Sequence, residues 1–115
     1  MEPASPGPSM LTLLALIERR PGMYLGPDGE NPDRRLDALE LYIAGYSGAV
    51  YAHGLRDPGF DKWAAFSNHL GTKFGWSMLE GPIGAIRHAS ANEVDAWMKF
   101  WSLLHEFADF GLVAG

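Results

Sequence analysis

The chain has 115 residues, 14 acidic and 9 basic side chains, a formal net charge of −5 and no cysteine. A chain of this length supports one modest hydrophobic core, so we expect a single domain. Without cysteine there is no disulfide framework, thiolate metal site or thiol nucleophile, which favours a reducing, cytoplasmic setting. The acidic balance argues against nucleic acid as a partner, because phosphate binding needs a clustered basic face.

The start of the chain is predicted to contribute nothing to the fold. Residues 1–8 are rich in Pro, Gly and Ser and are predicted to form a disordered tail, so the helical domain covers residues 9–115. The apolar run that follows, Met10–Ile17, is much shorter than the roughly 20 residues of a membrane span. The acidic, proline-rich start also differs from a signal peptide. We therefore expect neither membrane insertion nor export.

The first helix is predicted from its cap and its terminating proline. Ser9 is a suitable N-cap, and Pro21 prevents the helix from continuing beyond about Arg20. The next residues, Arg20 to Met23, suit a type II turn, with Gly22 accepting the positive φ. A polar loop is predicted over residues 26–30.

A second helix is predicted to start at the Asn31 cap, with Pro32 at its first position, and to end at Gly54. Its apolar stripe is Leu36, Leu39, Ile43, Tyr46 and Val50. Its small residues, which would let another helix approach closely, are Ala44, Gly45, Gly48, Ala49 and Ala52.

The second half of the chain is predicted to contain the remaining helices. One runs from Asp57-Pro58 to just before Gly71, and a shorter one covers residues 82–88 after a turn begun by Ser77 and Glu80. A capping box from Ser90 to Glu93 announces the last helix, which is predicted to extend from about 92 to 110, ending near Gly111, at the centre of the core. Because no alternating strand pattern competes, the predicted fold is all-α, a compact bundle of four to five helices.

One local string resembles a known nucleotide-binding family. Residues 19–26, Arg-Arg-Pro-Gly-Met-Tyr-Leu-Gly, resemble a segment near the start of the ATPase domain of DNA gyrase. That family also needs an acid and an Asn on the next helix and a later Asp-x-Gly-x-Gly string. Residues 39–46 contain no Asn and no such string follows, so we expect neither nucleotide binding nor hydrolysis.

A longer resemblance covers residues 10–107. An apolar helix running into Arg20–Gly26, followed by Ile43-Ala44-Gly45-Tyr46 and by Gly75-Trp76, is similar to small bacterial immunity proteins of polymorphic toxin systems. This resemblance implies a protein that binds and neutralises a toxin. The alternative for Arg20–Gly26 is structural, with Arg20 capping the carbonyls of the first helix and Tyr24 packing.

Residue patterns typical of catalytic or metal sites are weak. The four histidines, His53, His69, His88 and His105, have no ligand spacing, and three lie near predicted helix C-termini, where imidazoles meet the last carbonyls. Ser47 lacks the glycine pattern and preceding strand of a hydrolase nucleophile. We therefore predict no catalytic residues, no metal, no cofactor and no enzymatic activity.

The candidate binding residues are acidic and aromatic. They are Asp28, Glu30, Asp33, Asp37 and Trp76. A locally negative tract favours a basic partner, and an exposed Trp is a common interface anchor. Solvated helix faces and core packing are the alternatives for the acids and for the tryptophans. We predict a binding protein for a toxin with a basic surface, with a self-associating structural or regulatory homodimer as the alternative.

Overall fold

The structure, a computed structural model, describes residues 10–54 and 57–108. The predicted tail, the Ser9 cap and the predicted helix end near Gly111 lie outside the described residues. The helices are α1 (Met10–Arg19), α2 (Pro21–Leu25), α3 (Arg35–Ala52), α4 (Pro58–Phe74), α5 (Gly81–His88) and α6 (Glu93–Ala108), with a 3-10 helix at Gly26–Glu30. The all-α class is confirmed over the described residues, although six α-helices replace the predicted four to five.

The core lies where α6 meets α1, α3, α4 and α5. Its fully buried side chains are Leu14, Ile17, Leu36, Leu39, Phe66, Leu70, Ile86, Phe100 and Leu104. Phe66 and Phe100 meet edge to face, with 6.3 Å between ring centroids. Trp97 and Trp101 are also buried, one turn apart on α6. The last helix therefore contributes the aromatic centre of the core, as its apolar pattern predicts.

The predicted turn at Arg20–Met23 is instead the start of the extra helix, α2. Pro21 occupies the first helical turn, where its fixed φ and missing N–H are tolerated. The positive φ that the turn requires is found at Gly26, at 72°, where α2 ends. A side chain at Gly29 would overlap the Pro21 carbonyl, so this glycine lets the 3-10 helix lie directly against α2.

Two other helix boundaries differ from the predictions. Asn31 starts a turn, accepting a hydrogen bond from the Asp33 N–H at 2.9 Å, and α3 begins only at Arg35. Gly71 lies inside α4, which continues for another turn until Gly75, where φ is 71°. Each prediction placed the boundary at the first residue able to end or start a helix. In the structure α4 ends before Gly75, which has the positive φ, and α3 begins after the turn at Asn31.

The start of α6 is capped by different residues from those predicted. Asn92 accepts the Asp95 N–H at 2.8 Å, and the Asp95 carboxylate accepts the Ala91 N–H at 3.1 Å. Ser90 instead donates back to the Ile86 carbonyl at 2.6 Å, at the end of α5. The box therefore runs from Asn92 to Asp95, which leaves Glu93 free to contact another helix.

Candidate functional site

The surface that most resembles an interface lies on α3. From Leu41 to Gly54 the sequence contains no Asp, Glu, Lys or Arg. The exposed residues of this stretch within α3 are Leu41, Ala44, Gly45, Gly48, Ala49, Tyr51 and Ala52, and they define what we call the α3 outer face. Leu41 is 74% exposed and Tyr51 is 89% exposed. An apolar face over three turns of one helix is unusual for a surface, because such positions normally carry charge.

The glycines of the α3 outer face have no packing role within the described residues. A Cβ added to Gly45 or to Gly48 would meet no atom within 4 Å. Glycine inside a helix lowers stability by roughly 0.5–1 kcal/mol relative to alanine. The described fold therefore gives no reason for these residues to be small, and they leave the helix backbone open to close approach from outside.

Acidic residues border the N-terminal end of this face. Asp28 and Glu30 lie in the 3-10 helix and Asp33 in the turn before α3, and all three side chains are exposed. Among residues 10–54 and 57–108, none of these three carboxylates forms an ion pair. They are therefore available to a basic partner. The structure places three of the five predicted site residues together here.

The fourth predicted acid, Asp37, contacts Arg87. The guanidinium of Arg87 donates to Asp37, to Glu40 at 2.6 Å and to Glu93 at 3.2 Å. Partial burial disfavours the charged guanidinium, but the hydrogen bond to Glu40 and the charges of Glu40, Glu93 and Asp37 outweigh it and raise the pKa of Arg87. One arginine therefore ties α3 and α6 to α5, and Asp37 is a structural residue as well as a surface charge.

Trp76, the fifth predicted residue, is partly exposed in the connection between α4 and α5. Its ring stacks on Phe74, with 4.4 Å between centroids and 17° between planes. It also lines a cleft of about 320 Å³ together with His88 and Ala89 at the end of α5. This stacking restricts the Trp76 ring, and a pre-oriented aromatic side chain suits an interface anchor.

A second cleft lies between α3 and the start of α5. It has a volume of about 190 Å³ and is lined by residues of α3, including Ala44, and by Trp63, Glu80 and Pro82. Leu79, next to Glu80, is 97% exposed. Glu80 in turn lies 2.8 Å from His88, which borders the Trp76 cleft. One residue of the α3 outer face, Ala44, therefore shares a cleft with Glu80 at the end of the α4–α5 connection.

The histidines occupy structural positions. His53 is the C-cap of α3 and His88 lies in the last turn of α5, close to helix C-termini as predicted. His69 was also expected near a helix C-terminus but lies inside α4, which continues to Phe74. His105 lies in the last turn of α6. His105 contacts Glu18 at 2.8 Å, and His69 lies against Phe107 at 5.1 Å between ring centroids. In the part of the chain that the structure describes, no three His, Asp or Glu side chains form a group suited to a metal ion.

One polar contact joins three helices and was not predicted. Asp57 accepts the N–H of Met10, the first residue of α1, at 2.8 Å and the hydroxyl of Tyr46, on α3, at 2.5 Å. Burial and then the adjacent Asp57 carboxylate raise the pKa of Tyr46 to about 12. The sequence shows only that Asp57 precedes a proline, which is a helix-start signal. Its contact with α1 depends on the tertiary fold.

Comparison with protein-family models, curated proteins and solved structures found no match to this chain. None of the helices in the described ranges combines the length and apolar character needed to cross a bilayer.

Proposed function

We propose that this chain is a non-enzymatic binding protein of the bacterial cytoplasm, an immunity protein that neutralises a cognate toxin by forming a tight complex. The α3 outer face, with its acidic border, is the observation that carries the proposal. Interfaces commonly have an apolar centre and a polar rim. The α3 outer face supplies an apolar centre, and the acids before α3 supply polar residues at one end of it. Leu41 and Tyr51 supply apolar area, and the small residues between them allow a partner helix or loop to approach closely.

The partner is a protein with a basic surface. Asp28, Glu30 and Asp33 are exposed, unpaired among the described residues and placed at one end of the apolar face. The net charge of −5 attracts a positively charged protein at long range, which raises the association rate. The border charges therefore mainly affect the rate of encounter, whereas the apolar face mainly determines how long the complex lasts.

The test is co-expression with the toxin encoded beside the gene for this chain. We expect a stable complex and rescue of cell growth. Leu41→Arg and Gly48→Arg should each weaken binding by about thirtyfold or more, because they place a bulky charge in the centre of the interface. Met98→Arg is the matched control: Met98 is also an exposed apolar residue, at 64%, but it lies on α6.

The acidic border is tested by association kinetics. Asp28→Lys and Asp33→Lys should slow association and reduce its dependence on salt, with little effect on dissociation. Trp76→Ala should instead speed dissociation if the partner reaches the α4–α5 connection. Equal binding by all five variants would reject the assigned surface. The absence of any complex, or of growth rescue by the unaltered protein, would reject the immunity function itself.

Self-association is the second candidate, since the same uncharged helix face would also suit a second copy of this chain. Sedimentation of the purified protein distinguishes the two functions. A stable homodimer that Gly48→Arg dissociates and that ignores the toxin would establish the structural or regulatory alternative. A monomer that binds the toxin would support the immunity function.

A further inference from the structure

A second candidate site lies where α1 ends and α2 begins. It is an open cleft of about 330 Å³ lined by Leu16, Arg19, Arg20, Met23 and Tyr24. No residue of this lining belongs to the α3 outer face or to either cleft beside α5. The cleft also coincides with the sequence string that the proposed function leaves unexplained.

Neither arginine of the cleft is neutralised within residues 10–54 and 57–108. Neither Arg19 nor Arg20 forms an ion pair there, and the acid that precedes them, Glu18, contacts His105 instead. The Glu30 carboxylate lies against Gly22 but outside the cleft lining. Two consecutive arginines, both exposed, therefore carry unpaired positive charge in a protein with an excess of acids.

Capping of α1 does not account for Arg20. The backbone N–H of Arg20, not its guanidinium, donates to the Leu16 carbonyl, at 3.0 Å. Tyr24 does pack against the core, as the structural alternative expects. Its side chain is only partly buried, and its hydroxyl has no hydrogen-bond partner within the described residues. The residues that line the cleft therefore carry three side-chain donor groups with no acceptor in the described chain.

The chemistry of the lining selects the ligand. Guanidinium groups bind phosphate through paired, charge-assisted hydrogen bonds, and two of them match the charge of a phosphomonoester, about −1.5 to −2 at pH 7. A carboxylate would balance only one arginine. Leu16 and Met23 add apolar walls, and the volume is at the low end of ligand sites, which span roughly 300–1,000 Å³.

We propose that this cleft binds a phosphomonoester carrying a small apolar group. The phosphoryl oxygens accept hydrogen bonds from Arg19 and Arg20, with the Tyr24 hydroxyl as a third donor. The apolar group lies against Leu16 and Met23. This site is independent of the toxin-binding surface, and its failure would leave the proposed function untouched.

Calorimetric titration of the full chain with phenyl phosphate at low salt tests the site. Arg19→Gln and Arg20→Gln should each weaken binding on the order of tenfold, because each removes a hydrogen bond to a charged group. Arg34→Gln should leave binding unchanged. Arg34 is a matched control, being an exposed arginine without an ion pair among the described residues and outside the cleft. Circular dichroism establishes that each variant folds.

Three comparisons can overturn the proposal. No saturable binding of phenyl phosphate, or equal binding by the Arg19, Arg20 and Arg34 variants, would show that the cleft is not a phosphate site. Benzoate binding as tightly as phenyl phosphate would assign the cleft to monoanions. If inorganic phosphate binds as tightly as phenyl phosphate, then Leu16 and Met23 do not contact an apolar group of the ligand. Weaker binding of both probes, with the expected loss in the two cleft variants, supports the proposal.

Discussion

Asp57 connects parts of the chain that are distant in sequence. Its carboxylate accepts the N–H of Met10 and so satisfies one of the donors that every helix start leaves open. The same oxygen accepts the Tyr46 hydroxyl, and the Asp57 carbonyl accepts the Phe60 N–H at 3.0 Å in the first turn of α4. A single residue thus supports the start of α1, the side of α3 and the start of α4.

Replacing Asp57 should destabilise the fold more than its surface position suggests. We expect Asp57→Ala to lower the free energy of unfolding by about 1–3 kcal/mol, because a helix cap and the acceptor of a tyrosine hydroxyl are lost together. Asp57→Asn should lose less, since its side-chain oxygen still accepts a hydrogen bond. Urea unfolding of the three proteins measures the difference. Equal stability of all three would show that water replaces both contacts.

The contact between Tyr46 and Asp57 predicts that Tyr46 ionises at a higher pH than an ordinary tyrosine. Burial and Asp57 raise the pKa of Tyr46 to about 12, from the ordinary 10.0. Since the folded pKa is the higher one, Tyr46 contributes stability that is complete below pH 10 and is lost as the pH rises through 12. Tyrosinate absorbance should show one of the four tyrosines ionising last, and Tyr46→Phe should remove that component. A titration unchanged by Tyr46→Phe would contradict this assignment.

At the scale of helices, Arg87 is the main polar link. We expect Arg87→Gln to cost about 1–3 kcal/mol, because Asp37, Glu40 and Glu93 would then face one another without a cation. Lys73→Gln is the matched control: it breaks a pair with Glu106 whose two side chains are 43% and 58% exposed, so little or no change in stability is expected. Chemical unfolding compares them. Similar small losses in both variants would show that the Arg87 cluster is solvated.

Replacing Gly29 or Gly48 by alanine should change the stability of the fold in opposite directions. Gly29→Ala should destabilise by about 1–3 kcal/mol, because the new methyl group overlaps the Pro21 carbonyl and separates the 3-10 helix from α2. Gly48→Ala should stabilise by up to about 1 kcal/mol, because α3 gains helix propensity and the methyl group meets only solvent. Thermal unfolding checks both signs. A loss of stability in Gly48→Ala would place an unseen contact on the α3 outer face.

Over the whole molecule, local signals predicted the helices and missed the contacts between them. Gly54 ends α3 with a φ of 65°, and Pro82 lies in the first turn of α5, because such residues act through their own backbone. The apolar face predicted for the helix after Asp57 was Phe60, Trp63, Ala64, Ser67 and Leu70. It left out Phe66, which is fully buried, because the aromatic residues of α4 do not lie on a single face. The buried face of α3 was predicted correctly, but the helix expected against its small residues is absent from the described chain.

The sequence predicted which types of residue form the candidate surface but not how these residues are arranged in the fold. The acids Asp28, Glu30 and Asp33 could be recognised as a local excess of negative charge. Asp37 instead binds Arg87, which lies 50 residues further along the chain. No local sequence pattern predicts such a tertiary contact. The apolar α3 outer face could have been found from the absence of charge over residues 41–54. The same lack of charge is also expected of a helix buried in the core, so the sequence alone did not distinguish an exposed apolar face from a buried one.

The Asp57 cap also constrains the order in which the chain folds. The acceptor for the first turn of α1 lies 47 residues further along, beyond α3, so that turn is capped only after a long loop has closed. Isolated helices as short as α1 are marginal in water, and we expect its first turn to remain frayed until then. Pulse-labelling hydrogen exchange during refolding should therefore protect the Met10 amide later than the amides in the middle of α6. In Asp57→Ala that amide should stay open to exchange even in the native protein.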